Sequence, residues 1–172
     1  MDIKGSLKSD KVMPLLCWDV HIMGLANVGL QLNLNKDLEF LQSLKHKHLW
    51  INDLSFVKGR YFEAMVITDS AQMIQWVSSG FYSMTGYKSA EVVGHTPSML
   101  QGEHTTVESL NSFREGISKN DPFQLEILNY RKNGQSYNCR IEVHPLINQH
   151  NQTSHFLALE YEIKRPRGTQ RE

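Results

Sequence analysis

The sequence predicts an α+β fold: a five-stranded antiparallel sheet with short helices on one face and an N-terminal helical extension on the other. Three observations predict it. Apolar residues recur at every second position in several stretches after residue 64, as they do along strands with two different faces. The chain between the second and third of these stretches holds helical pieces, most of them cut short by Gly or Pro. The last strand is apolar on both sides, so its outer row needs a cover, and an amphipathic helix near the N-terminus is available to supply it.

Residues 1–56 read as that extension. In "NKDLEFLQSLKHKHLW", Leu38, Leu41, Leu44 and then His48 or Leu49 recur at helical spacing and give the helix one apolar face. The main domain is expected over 57–164, and the charged, Pro-broken residues 165–172 are expected to be a disordered tail. A first hairpin joins "AMVITD" to "MIQWV" through the turn-forming "SAQ" beside Asp69. Short helical pieces follow in "SSGFYSMTGY", "SAEVVG" and "TPSML". The next helix, in "TTVESLNSFREGISKN", sets Val107, Leu110, Phe113 or Arg114, and Ile117 on one face, and Thr105 with Glu108 has capping-box spacing.

Three strands complete the sheet. Phe123, Leu125 and Ile127 alternate with polar residues, as do Tyr137, Cys139, Ile141 and Val143. A two-residue turn at Asn133-Gly134 would mix the faces, whereas a three-residue loop through Gln135 sets Ile127 opposite Ile141 and Asn129 opposite Cys139, both facing inward. In "HFLALEYEI", Leu157, Leu159, Tyr161 and Ile163 form the outer row, and Phe156, Ala158 and Glu160 the inner one.

Composition narrows the function. Lys and Arg number 18 and Asp and Glu 18, so the charge excess that marks nucleic-acid or membrane-surface binding is missing. No apolar run approaches the roughly 20 residues of a membrane span. Cys17 and Cys139 do not suggest a disulfide framework, which points to a reducing cytoplasm. No nucleophile elbow, zinc-protease motif or phosphate loop is present, so an enzyme is not expected. His46 and His48 lie two apart on a helix and face different sides, which disfavours a metal pair.

The stretches "VSSGFYSMTGYKSAEVVGHTPSMLQGEHT" and "NYRKNGQSYNCRIEVHPL", in this order of elements over roughly residues 60–164, resemble a PAS domain. The likeness is strongest to bacterial sensory PAS domains and to the flavin-binding light-oxygen-voltage branch, and the N-terminal part is similar to small free-standing PAS proteins. In that branch the turn matching "GHTPSMLQG" carries an Asn, the Cys that bonds flavin in light, a phosphate-gripping Arg, and a Gln. Thr96, Pro97, Ser98 and Gln101 stand at those places. The resemblance therefore implies no cysteinyl adduct, because proline has no nucleophile. Ser98 forgoes a charge-assisted contact of about 1.5–3 kcal/mol. Cys139 matches a strand asparagine that bonds the flavin ring, and Glu160 matches the family's flavin-sensing glutamine. Of the matched contacts, Gln101 and Asn129 are retained. Asn129 also stands out without the resemblance, since an inward amide needs a partner, either a ligand or backbone and water.

These residues point to a cytoplasmic sensory module without its own output domain, which binds a small ligand, contacts a protein partner or a second copy, or does both. The cofactor is left unspecified. Candidate pocket residues are Thr96, Gln101, Asn129, Cys139 and Glu160. Two alternatives remain: a flavin-binding protein without adduct chemistry, and an apo interaction module whose pocket is filled by its own side chains. Haem held through His95 or His104 is disfavoured, because no haem motif accompanies either residue.

Overall fold

The computed structural model describes residues 33–164. The expectations for Cys17 and for the tail 165–172 lie outside them. The chain divides after Lys36, and every side-chain contact discussed below lies within the unit beginning at Asp37. Its sheet is antiparallel throughout: β1 (Ala64–Asp69), β2 (Ile74–Val77), β3 (Phe123–Tyr130), β4 (Ser136–Ile147) and β5 (Thr153–Glu162), in the order β2-β1-β5-β4-β3. The chain crosses over between β2 and β3, and that crossing builds a helical wall over one face. The wall consists of α2 (Ser79–Thr85), α3 (Ser89–Val92), a 3₁₀ turn (Pro97–Leu100) and α4 (Val107–Lys119).

Both sides of the sheet centre are covered. On the inner side Val66, Ile74, Phe81, Met84, Val92, Leu100, Ile127 and Val143 form one apolar cluster. On the outer side α1 (residues 33–48) and the segment Trp50–Val57 bury Leu41, Trp50, Leu54 and Val57 against Met65, Ile67, Leu146, Leu157 and Leu159. Leu41 has no exposed surface, and Leu38 and Leu44 pack beside it, as the helical spacing of the three leucines predicts. Burying a leucine this fully stabilises the fold by roughly 2 kcal/mol. Leu157 and Leu159 of the outer row are thus covered by the chain's own helix and the segment after it, while Tyr161 and Ile163 stay half-buried.

β1 does not show the alternation expected of it. Its first five residues are all buried, because inner and outer layers both press on a central strand. At the edge, β3 keeps its alternation, with Gln124 and Glu126 exposed.

The β3–β4 register corrects the sequence reading. Ile127 pairs with Cys139, Leu125 with Ile141, and Asn129 with Tyr137 rather than with Cys139. The loop has the three residues expected, but they are Lys132-Asn133-Gly134, one position earlier. Arg131 N–H donates to the Gln135 carbonyl at 2.9 Å, and Gly134 takes the left-handed φ of +84° that closes such a loop. A one-position shift of the loop moves the register by two residues, so every side chain keeps its face.

The cap of α4 is also one residue from its expected place. Thr106, not Thr105, accepts the Ser109 amide at 3.2 Å. The Thr105 hydroxyl accepts from Gly102 N–H at 3.0 Å and donates to the Leu128 carbonyl at 2.7 Å, tying the turn before α4 to β3. Val107 is 64% exposed, so the packed face of α4 is Leu110, Phe113 and Ile117 without it. Gly116 lets this helix lie close to the sheet, since a Cβ there would fall 2.5 Å from the Phe123 ring.

Candidate functional site

The wall does not close against the sheet along its whole length. Between the 3₁₀ turn, α4 and the strands lies a cleft of about 300 Å³, at the low end of the usual range for small-ligand sites. Ala71 and Gln72 from the β1–β2 turn line one edge, and Thr96, Pro97, Ser98, Leu100 and Gln101 form the next. Leu110, Phe113 and Arg114 face it from α4, and Ile127, Asn129, Ile141 and Glu160 form its floor on β3, β4 and β5. The stretch Gly94–Gly102 thus forms a rim. Gly94 turns the chain with φ +83°, Pro97 starts the 3₁₀ turn, and Leu100 anchors it in the core.

Four of the five candidate residues line the cleft: Thr96, Gln101, Asn129 and Glu160. The Thr96 and Ser98 hydroxyls hydrogen-bond each other at 2.5 Å on the exposed rim. The fifth, Cys139, lies within the β4 floor with no exposed surface, and its Sγ is 4.0 Å from Glu160 Oε2. Burial, with Glu160 nearby, pushes the Cys139 thiol well above its ordinary range, so it is protonated and a poor nucleophile. None of Met65, Met84 and Met99 is among the lining residues; all three pack in the apolar clusters.

Two polar side chains lie in the floor. Asn129 and Glu160 each keep 4% of their surface, and both face the cleft. Beside them, the Tyr137 hydroxyl is buried with no well-formed hydrogen bond among the described residues, and Asn129, opposite it on β3, is the side chain placed to bond it. The Tyr137 ring is held by the Arg131 guanidinium, 4.5 Å above its centroid, and burial drives its phenol far above the ordinary pKa. Glu160 is pushed up to about 7 by burial alone. The cleft thus offers an amide and a carboxyl that holds its proton to near neutrality, in apolar surroundings, with the Tyr137 phenol buried beside it.

Sequence reasoning missed two of these groups. Arg114 appeared only as an alternative to Phe113 on the helix face, whereas both reach the cleft, and Arg114 brings a cation to its mouth. Its position four residues after Leu110, another lining residue, was the available signal. Tyr137 was read as plain core, and nothing local in the sequence marks a hydroxyl that will lack a partner.

A flavin-class group can be tested against these residues. The Gln101 and Asn129 amides, together with a neutral Glu160, supply donors and acceptors for a heteroaromatic edge. Leu110, Phe113, Ile127 and Ile141 supply apolar walls, and Arg114 supplies a cation for an anionic tail. This donor set fits the group. Pro97 stands in the rim, and the single cysteine among the described residues is the buried Cys139. No group of three His, Cys, Asp or Glu among the described residues is placed to hold a metal ion, and no helix there is long and apolar enough to cross a membrane.

An open antiparallel sheet that cups a polar-floored cleft beneath short helices defines a class of small α+β sensory modules. The chain belongs to the PAS domain family, whose profile matches residues 63–164. It is 27% identical over 116 residues to Phototropin-1A of Oryza sativa subsp. japonica, which covers 66% of this chain and 13% of that protein. It is also 27% identical over 90 residues to a blue-light-activated histidine kinase of Brucella canis, covering 52% of this chain and 18% of the kinase. Among solved structures, the dark structure of the blue-light photoreceptor Aureochrome1 LOV superimposes with a TM-score of 0.61 at 25% identity, covering 66% of this chain and 86% of that one. The chain therefore spans less than a fifth of either curated relative.

Proposed function

We propose that this PAS domain is a sensory module whose cleft takes a planar heteroaromatic ligand of the flavin class without a covalent bond to cysteine. One observation carries the reading: Asn129 and Glu160, both nearly fully buried, face an apolar-walled cleft, where the weak Cys139 thiol, 4.0 Å from Oε2, is the side-chain donor to Glu160. Buried polar groups left in this state cost about 1–3 kcal/mol each unless something else satisfies them. A ligand edge with alternating donors and acceptors does so, and Arg114 at the mouth suits an anionic tail. The blue-light names of the relatives support the same ligand class. Pro97 and the inert Cys139 argue for retention by hydrogen bonds and packing alone.

Signal output is proposed to run from the floor strands through the sheet to α1, and from there to a protein partner or a second copy in the cytoplasm. The rival reading, an apo interaction module, drew its sequence support from the apolar outer row. Leu41 and its neighbours bury Leu157 and Leu159 of that row.

The test is the absorption spectrum of the full chain purified without added cofactor, with mass spectrometry of what denaturation releases. Flavin bands and an unmodified flavin in the released fraction are expected, or failing these, quenching of added riboflavin fluorescence. A chain that neither carries flavin nor quenches riboflavin overturns the reading. So does a light-induced adduct that survives denaturation on the protein.

A further inference from the structure

Glu160 is the one acidic side chain that is buried among the described residues, and no cation pairs with it. The groups around it can be named from each packed element. From β4 come the Cys139 thiol, 4.0 Å from Oε2, and the Tyr137 phenol, and from β3 comes the Asn129 amide. Entering β1 is Glu63, whose carboxylate accepts from the Tyr61 hydroxyl at 3.2 Å and the Glu162 amide at 3.4 Å. Glu162 on β5 itself is neutralised by Arg131 at 2.8 Å. Across the cleft, Arg114 donates to Asn111 Oδ1 at 3.1 Å. An ionised Glu160 would thus be buried with no cation paired to it among the described residues.

We propose that Glu160 serves this site as a neutral carboxylic acid whose O–H donates a hydrogen bond to an acceptor atom on the ligand edge, so that the cleft selects edges with adjacent donor and acceptor atoms and takes up a proton from solvent as it fills. The proposal rests on the flavin-class reading above and adds to it the chemistry of selection. A carboxylic acid presents one donor and one free acceptor oxygen, which is the hydrogen-bonding pattern of an amide. Glu160 therefore substitutes for an amide while it is protonated and for nothing useful when it is ionised. An imide or lactam edge meets Glu160, Asn129 and Gln101 with complementary groups, whereas a ligand presenting an anionic edge is also accepted by the donated proton but gains nothing from the acceptor side. Displacing the last water from the carboxyl on binding strengthens its hold on the proton, and the sensed state of the ligand becomes tied to a proton equilibrium. The O–H bond stays on Glu160 throughout; only a hydrogen bond forms, and the proton taken up comes from solvent.

The experiment is calorimetric titration of the full chain with riboflavin, whose tail has no titrating phosphate, in buffers of different ionisation enthalpy. Uptake is expected to rise from near zero at about pH 5 to about one proton at about pH 8, with affinity falling about tenfold per pH unit beyond that. E160Q should bind with no proton uptake and no such slope. Infrared difference spectra of the ligand-free chain should show a protonated-carboxyl band near pH 6 that E160Q lacks. If riboflavin does not bind the wild-type chain, the flavin-class reading and this one fail together. If riboflavin binds without pH-dependent proton uptake, or the carboxyl band is missing, only the role of Glu160 is overturned. Should E160Q fail to fold, the wild-type pH series decides by itself.

Discussion

The two faces of this one sheet treat polar groups in opposite ways. On the outer face, groups bordering the apolar layer are bonded. The Trp50 indole N–H donates to Ser154 Oγ at 3.1 Å and to His155 Nδ1 at 3.3 Å, and the Asn52 side chain donates to the Pro145 carbonyl at 3.1 Å and accepts from Ile147 N–H at 2.6 Å. On the inner face, Asn129 and Glu160 face a cleft and the Tyr137 hydroxyl has no partner. The same five strands thus carry one layer packed under the chain's own helix and one layer that opens on a cleft. The difference extends to titration. On the outer side, burial, with His48 beside it, lowers His155 to about 4; on the inner side, burial raises Glu160 to about 7.

These two shifts act with opposite sign. A histidine with a depressed folded pKa leaves the unfolded chain holding more protons between about 4 and 6.5, so its contribution falls on acidification. A carboxyl with a raised folded pKa binds its proton more tightly when folded, so its contribution is full below about 4.5 and is lost as pH rises through about 7. The two offset each other in the wild-type chain over the mildly acid range.

The largest expected effect tests the closed face. Leu41→Ala should lower stability by about 3 kcal/mol in urea unfolding, because it opens a cavity under a fully buried position, while riboflavin affinity stays within about twofold. A variant that loses ligand affinity and keeps its stability would abolish the division between the faces. The second effect tests the open face. Glu160→Gln should raise stability by up to about 3 kcal/mol at about pH 8 and leave it unchanged near pH 4, measured by urea midpoints across pH. The variant should also unmask His155 as a steeper loss on acidification. An unaltered pH profile would mean that Glu160 ionises in the fold as freely as in the unfolded chain.

Much of this contrast was legible in the sequence, and the illegible parts have definite causes. Leu38, Leu41 and Leu44, and the doubly apolar β5, announced a covered outer face because helical and strand periods are local properties. The inward direction of Asn129 was legible for the same reason. Its partner across the ladder was not, since alternation fixes the face of each residue but leaves registers two apart equivalent, and the left-handed φ at Gly134 chose between them. Thr105 and Thr106 were equally good caps until a contact 23 residues away, with the Leu128 carbonyl, engaged the first. Phe113 and Arg114 are 100° apart on a helix, so a cleft can be touched by both. The high pKa of Glu160 depends on what long-range packing keeps away from it, which no short window of sequence contains.

Two smaller effects sharpen the comparison further. Tyr137→Phe removes a buried hydroxyl that has no partner, so stability should be unchanged or rise by about 1 kcal/mol, and a clear loss in thermal unfolding would show that the hydroxyl is bonded in solution. The last concerns the link between the faces. Ser78, at the N-cap position of α2, makes no capping bond; its hydroxyl instead accepts from Met65 N–H at 2.8 Å. Asp37 of α1 takes over, accepting from Ser79 N–H at 3.1 Å and from the Ser79 hydroxyl at 2.7 Å. The helix that closes the outer face therefore also holds the start of the inner wall. Asp37→Ala should cost about 1 kcal/mol, and hydrogen exchange should quicken at Ser79 and Gly80 as well as along α1. Faster exchange in α1 alone would show that the two layers move independently, and a route from cleft to α1 would then have to run through the strands.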